Sequence, residues 1–188
     1  KNQSQLVEHF PMKPSSFVLN LNRYLQKDLI ICSESVYWTG KYLLIKNNQS
    51  HVVLTGFASI GASSGEAIGA KLANPNKTVI SFQGDCGFLM SGFAPLTSND
   101  YKIPIIYCIL VNGTMGPIYH AQKNKDELPF TKFNNPNYEY LAKSLNIKHY
   151  KITNTSEMDK ILERIFEDYK GENSILLEVI VDPEEYFI

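Results

Sequence analysis

The sequence predicts an α/β fold of three layers, a mostly parallel six-stranded sheet with helices on both faces. Short β-branched runs alternate repeatedly with stretches of helical periodicity, the pattern of strand–helix–strand units. One run, Ile105–Val111, reads IIYCILV and is apolar at every position, as a central strand covered on both faces must be. The length of 188 residues corresponds to about one domain at roughly 150 residues each, so residues 1–188 are read as a single unit.

The elements follow in order. A helix is expected over Phe17–Leu25, a strand over Leu29–Cys32 and another over Val52–Leu54. Tyr37 and Trp38, between those strands, either line a subunit contact or fill core space. A helix rich in small residues covers Ser64–Ala73, and a strand covers Thr78–Gln83. Phe88-Leu89-Met90 looks like a helix start, ahead of the Ile105–Val111 strand. Thr114–Asn134 reads as a long polar loop, a length that in compact domains is usually functional or disordered. Asn135 is placed to cap a helix with Pro136 at its first position and Tyr138, Leu141, Ala142 and Leu145 at helical spacing. A strand at His149–Ile152 precedes the clearest helix. There Asn154 and Glu157 form a capping pair, and Met158, Ile161, Leu162, Ile165, Phe166 and Tyr169 make one apolar stripe. Glu157, Asp159, Glu163 and Glu167 read as its solvated face. Ile175–Val181 is the last strand.

Composition narrows the function. Eighteen basic and 19 acidic residues give a net charge of −1, without the basic excess that nucleic-acid binding needs. No apolar run reaches the roughly 20 residues of a membrane span. Lys1–Phe10 is polar and lacks the apolar core of a secretory signal. Cys32, Cys86 and Cys108 are odd in number and form no C-x-x-C pair, which points to a reducing, cytoplasmic setting rather than a disulfide or zinc framework.

In open parallel sheets ligands bind outside the carboxyl ends of the strands, so the residues after each strand carry the interest. Gly84-Asp85-Cys86-Gly87 follows Thr78–Gln83 and places a carboxylate beside backbone N–H groups and the positive end of a helix. Asn112-Gly113-Thr114 follows Ile105–Val111, offering an amide oxygen and a turn that exposes a carbonyl. About one crossover unit separates Asp85 from Asn112, so the two are expected at the ends of neighbouring strands. One carboxylate, one amide oxygen and one carbonyl make a sparse oxygen site, the kind Mg²⁺ completes with water and phosphate. Each motif alone is also an ordinary turn. Gly56–Gly65 does not match G-x-G-x-x-G, and no Gly-Lys-Ser/Thr occurs, so both nucleotide fingerprints fail. His120 lies near the expected mouth, as a proton shuttle or as a surface loop residue. His9, His51 and His149 have no nameable partner.

Gly56…Ser59-Ile60-Gly61…Ala67-Ile68-Gly69-Ala70, then Gly84-Asp85, then Asn112, resembles the C-terminal, diphosphate-binding domain of thiamine-diphosphate enzymes, the group of acetolactate synthase, pyruvate oxidase and pyruvate decarboxylase. Thr97, Tyr101, Ile103 and Pro104 also fall where that family has such residues, and the similarity runs from about Pro14 to Glu185. Asn134–Tyr138 and Leu177–Glu185 look most like the acetolactate synthase branch. The resemblance implies thiamine diphosphate and Mg²⁺ as cofactors, with Asp85, the Asn112 side chain and the Thr114 carbonyl as metal ligands. Gly84, Cys86, Gly87, Met115 and Gly116 would surround the diphosphate. Ile60 would prop the cofactor in its bent shape, with Ser59 beside it and the Ala58 carbonyl and Ile60 N–H on the pyrimidine edge. Cys86 stands where the family has a second glycine, Val111 where it has a first asparagine, Gly65 and Glu66 where Pro and a small residue are usual, and Ala94-Pro95 where Glu-Leu is common.

The resemblance further implies a 2-oxo acid decarboxylase or carboligase, a homo-oligomer in which the activating glutamate comes from a separate pyrimidine-binding domain of the same enzyme or of a partner subunit. The chain would then be a fragment or one subunit of a larger enzyme and inactive alone. The alternatives are a β-type subunit of a two-chain 2-oxo acid decarboxylase, a non-catalytic cofactor-binding homologue, and, least favoured, a generic nucleotide-binding domain.

Overall fold

The computed structural model describes residues 10–34, 36–53, 56–57, 59–123 and 130–185. Six strands form one sheet, in the order β2-β1-β3-β4-β6-β5, and every pairing is parallel. They are β1 (Leu29–Ser33), β2 (Ser50–Val53), β3 (Thr78–Gly84), β4 (Ile106–Val111), β5 (Lys148–Ile152) and β6 (Ile175–Ile180). All six match expected runs within one or two residues; Leu54, the expected end of the second, lies outside the described residues. β4 is buried at every position, as its uninterrupted apolar run requires, whereas the edge strand β2 alternates exposed and half-buried residues.

The sheet separates two cores. On one face Leu29, Ile31, Ile80, Phe82 and Leu177 meet Phe17, Val18 and Leu21 of α1 (Pro14–Leu21) and Met158, Leu162 and Ile165 of α8 (Thr155–Asp168). On the other, Ile30, Cys32, Val79, Tyr107 and Ile109 meet Ala67 of α3 (Ala62–Ala73), Phe88 of α4 (Asp85–Ser91) and Tyr138 and Ala142 of α7 (Tyr138–Ser144). This is the expected three-layer arrangement. No helix among the described residues is long and apolar enough to cross a membrane.

Helix boundaries differ more than strand boundaries. The first helix begins at Pro14, because proline serves at an N-terminus, and ends at Leu21, short of the expected Leu25. Three short helices have no counterpart in the sequence reading: α2 (Val36–Tyr42), α5 (Ala94–Asp100) and α6 (Gly116–Gln122). The last interrupts the expected long loop, and Thr114 pairs antiparallel with Lys132, tying the loop's two ends together. Asn137, not Asn135, caps α7, accepting a hydrogen bond from Tyr140 N. The pair at Asn154 and Glu157 is a full capping box, so Glu157 caps rather than merely facing solvent, and Asp159 pairs with Arg23.

Candidate functional site

β1 and β3 are neighbours whose following helices go to opposite faces. Trp38 and Tyr42 of α2 pack on the α1/α8 side, while Phe88 of α4 packs on the other. Such divergence leaves a crevice at the carboxyl ends of the strands. A cleft of about 430 Å³ opens there, lined among others by Glu34, Tyr37, Trp38, Ile60, Asp85 and Asn112. Of Tyr37 and Trp38, expected at a subunit contact or in the core, Trp38 packs against the core, and both line this cleft.

Asp85 is the hub of the floor. It is only 2% exposed, yet its carboxylate accepts four N–H groups. Oδ1 accepts from Cys86 N at 2.9 Å; Oδ2 accepts from Asn112 N at 3.0 Å, Gly113 N at 2.7 Å and Asn135 Nδ2 at 2.8 Å. Tyr138 in turn donates to Asn135 Oδ1 at 2.8 Å. Asn135, expected as a helix cap, is therefore a brace for the aspartate. The structure thus brings Asp85 and Asn112 together at the ends of adjacent strands.

Asn112 Oδ1 accepts from Thr114 N at 2.9 Å and Thr114 Oγ1 at 3.0 Å, an Asx turn. Gly113 supports it at φ +66°, a region that disfavours side chains, and a Cβ there would crowd the Phe133 carbonyl. Met115 N to Thr131 O at 2.9 Å and Phe133 N to Gly113 O at 3.0 Å clamp the turn from outside. Met115 precedes α6, Gly116 begins it, and both line the cleft.

The donor set suits a hard divalent cation. Asp85 is a buried carboxylate for which, among the described residues, no cationic side chain is paired, and an amide oxygen lies on the adjacent strand end. The described lining holds Glu34, Asp85, Asp182 and Glu185 but no lysine or arginine. Buried charge without a counter-charge is costly, and a bound cation relieves it.

The upper wall is a turn. Ala62 N donates to Ser59 O at 3.3 Å, and Gly61 sits at φ +87°, ψ −4°, the third position of a type II turn, which glycine favours. Ile60, at the second position, projects from it and is 49% exposed at the cleft. Ala58, whose carbonyl was expected on the pyrimidine edge, lies outside the described residues. Beneath the turn a polar network anchors α3: Ser63 and Ser81 hydroxyls lie 2.7 Å apart, and Gln83 Nε2 and Ser91 Oγ each donate to Ser64 Oγ at 2.9 Å.

Glu34, directly after β1, reaches the turn from the far side of the crevice. Its Oε2 accepts from Gly61 N at 2.6 Å. A Cβ at Gly87 would overlap its carboxylate. Burial pushes its pKa up to about 7, opposed by the Gly61 and Ser63 hydrogen bonds and aided by the charge of Glu66. Burial, then the charges of Asp85 and Glu34, hold the Cys86 thiol above its ordinary range.

His120 lines the cleft, with Nε2 2.9 Å from the Pro183 carbonyl; the carbonyl only accepts, so this nitrogen carries the proton. His149 has a partner after all, Glu178 Oε2 at 2.9 Å on the neighbouring strand, remote from the cleft lining. His51 is half-buried on β2, and His9 lies outside the described residues.

Residues 32–179 match the family described as thiamine pyrophosphate enzyme, C-terminal TPP binding domain. The chain belongs to this family. The thiamine pyrophosphate-binding domain is 31% identical over 189 residues to a probable acetolactate synthase large subunit of Methanocaldococcus jannaschii, covering 93% of this chain and 31% of that protein. It is 29% identical over 187 residues to the acetolactate synthase large subunit of Lactococcus lactis, covering 96% and 32%. Its fold is shared with a thiamine diphosphate-dependent 4-hydroxybenzoylformate decarboxylase of Rhodococcus jostii at a TM-score of 0.80 and 19% identity, over 94% of this chain and 34% of that one. The domain thus spans about a third of the length of these relatives.

Two site residues escape the sequence reading, Glu34 and Asn135. The rule that led to Asp85 and Asn112, inspection of the residue after each strand, marks Glu34 equally well once β1 is extended to Ser33. Asn135 gives no local signal, because its role is a contact made 50 residues away in sequence.

Proposed function

We propose that this domain holds thiamine diphosphate through Mg²⁺, as the C-terminal part of a 2-oxo acid decarboxylase or carboligase of the acetolactate synthase kind. The observation that carries the reading is the convergence of Asp85 and Asn112 at the ends of β3 and β4, with Asn112 N 3.0 Å from the Asp85 carboxylate. Asp85, the Asn112 amide oxygen and the Thr114 carbonyl would hold the metal. A diphosphate could not enter a cleft lined by carboxylates without such a cation to reverse the local charge. The backbone about Gly84, Cys86, Gly87, Met115 and Gly116 would face the phosphates, and Cys86 adds a side chain beside them. Ile60 and Ser59 would meet the cofactor's ring end. The cofactor supplies a nucleophilic carbon and an electron sink for cleaving the bond next to a carbonyl. The domain's own work is to bind, bend and shield. His120 lies where it could hold a proton near a 2-oxo acid substrate.

The rest of the active site would come from a pyrimidine-binding domain, in the same chain or in a partner subunit of a homo-oligomer, and this domain alone would not turn over. Phe57, Met90 and Phe93 are 91%, 64% and 73% exposed; Phe57 is close in sequence to the Ile60 turn, and Met90 packs beside Gly61. Exposed apolar groups such as Met90, beside the Ile60 turn, suit a covering domain.

Titration calorimetry with thiamine diphosphate tests the reading. Binding should require Mg²⁺ and weaken at least about a hundredfold in Asp85→Ala, where a charged ligand is lost, and about tenfold or more in Asn112→Ala. Binding indifferent to Mg²⁺ and to both substitutions would refute it.

A further inference from the structure

Glu34 stands apart from the residues the proposed function uses. It neither neighbours the metal ligands in sequence nor belongs to the phosphate cradle, yet it touches three separated segments. Its own N–H donates to Phe82 O at 3.2 Å, fixing its backbone on β3. Its carboxylate accepts from the Gly61 N–H at 2.6 Å. Its side chain fills the space that Gly87 leaves. The twelve-residue helix α3 has no side-chain cap of its own, since its N-cap position is Gly61. Glu34 supplies that cap from another strand, its carboxyl oxygen accepting from the N–H of the N-cap residue.

The bond to Gly61 falls within the turn that projects Ile60. A type II turn can rotate about its flanks unless its central N–H is held, and here that N–H has a partner rooted in the sheet. We propose that Glu34 is the positioning residue of this turn: by tethering Gly61 and capping α3, it sets how far Ile60 reaches into the cleft, and so how the ring end of the cofactor is bent. This rests on the thiamine diphosphate reading above. It separates two tasks within one cleft, since the Asp85–Asn112 end anchors phosphate while the Glu34–Gly61 tether shapes the space around the rings.

The two tasks are distinguished by two ligands. Calorimetry on the full-length protein, with Mg²⁺ throughout, compares thiamine diphosphate with inorganic diphosphate, which has no rings. Glu34→Ala should weaken thiamine diphosphate about tenfold and leave inorganic diphosphate within about twofold, while hydrogen exchange at the Gly61 amide accelerates without any ligand. Glu34→Gln retains an oxygen that accepts from Gly61 and should recover thiamine diphosphate affinity to within about threefold of the parent. Equal losses for both ligands, or no loss for thiamine diphosphate, would overturn the assignment. Should Glu34→Ala fail to fold, Glu34→Asp decides: its shorter reach breaks the tether, and the same selective loss is expected, with equal or absent loss overturning the proposal. A parent protein that does not bind thiamine diphosphate with Mg²⁺ would instead refute the larger reading.

Discussion

Glu34 and Gly87 fit one another as a single unit, because the carboxylate occupies the volume a side chain at 87 would need. Gly87→Ala should therefore destabilise the domain by about 1–3 kcal/mol, the usual cost of overpacking, and the loss should shrink in a Glu34→Ala background; urea unfolding of the four variants measures it. Glu34 also links folding to pH. Its folded pKa lies above that of an unfolded glutamate, so between those values the folded state binds more protons and stability falls as pH rises from about 4.5 through about 7. The groups that face it are Glu66 on α3 and Cys86 on α4, and Glu66 is itself raised by burial. Melting curves from pH 5 to 8 should show a loss on the order of 1–3 kcal/mol that flattens in Glu34→Gln. At this scale the sequence was legible where function follows a local rule. Asp85 and Asn112 each stand directly after a strand, whereas the brace from Asn135 and the void at Gly87 exist only once distant segments meet.

At the level of elements, apolar runs and helical stripes survived folding, and the segments that lack either did not show. The apolar stripe from Met158 to Tyr169 and the capping pair before it specify α8 over four turns, and the helix lies there. Asn154→Ala should cost about 1 kcal/mol in urea unfolding, since it removes the acceptor for Glu157 N at 3.1 Å. The helices α2, α5 and α6 contain glycine or proline that reads as loop. Asn135 was expected to cap α7, but Asn137 does. The choice fell to Asn137 because Asp85 and Tyr138 both engage Asn135, a tertiary contact overriding a local preference.

Across the whole molecule, the order of strands puts Asp85 and Asn112 at the ends of the two central strands, β3 and β4. Phe93→Asp should leave the fold's stability within about 0.5 kcal/mol, because Phe93 is exposed; if the proposed covering domain rests there, the same change should lower assembly of the full-length protein. Analytical ultracentrifugation beside thermal melts checks both halves of that expectation. The three-layer architecture was readable from alternation alone, because a sheet covered on both faces needs uninterrupted apolar strands such as β4. Which apolar side chains stay exposed was not, since exposure depends on how α3, α4 and α5 pack.

The central placement of β3 and β4 has a mechanical consequence. Amides there are shielded by helices on both faces and should exchange only when the entire domain opens, whereas the Ile60 turn, the Gly113 turn and the segment from Asp182 to Glu185 hang from separate connections. The basin that receives the ligand thus has a rigid floor, to which the Gly113 turn is bonded through Asp85, and walls at the Ile60 turn and the 182–185 segment that can be re-tailored without disturbing its anchor.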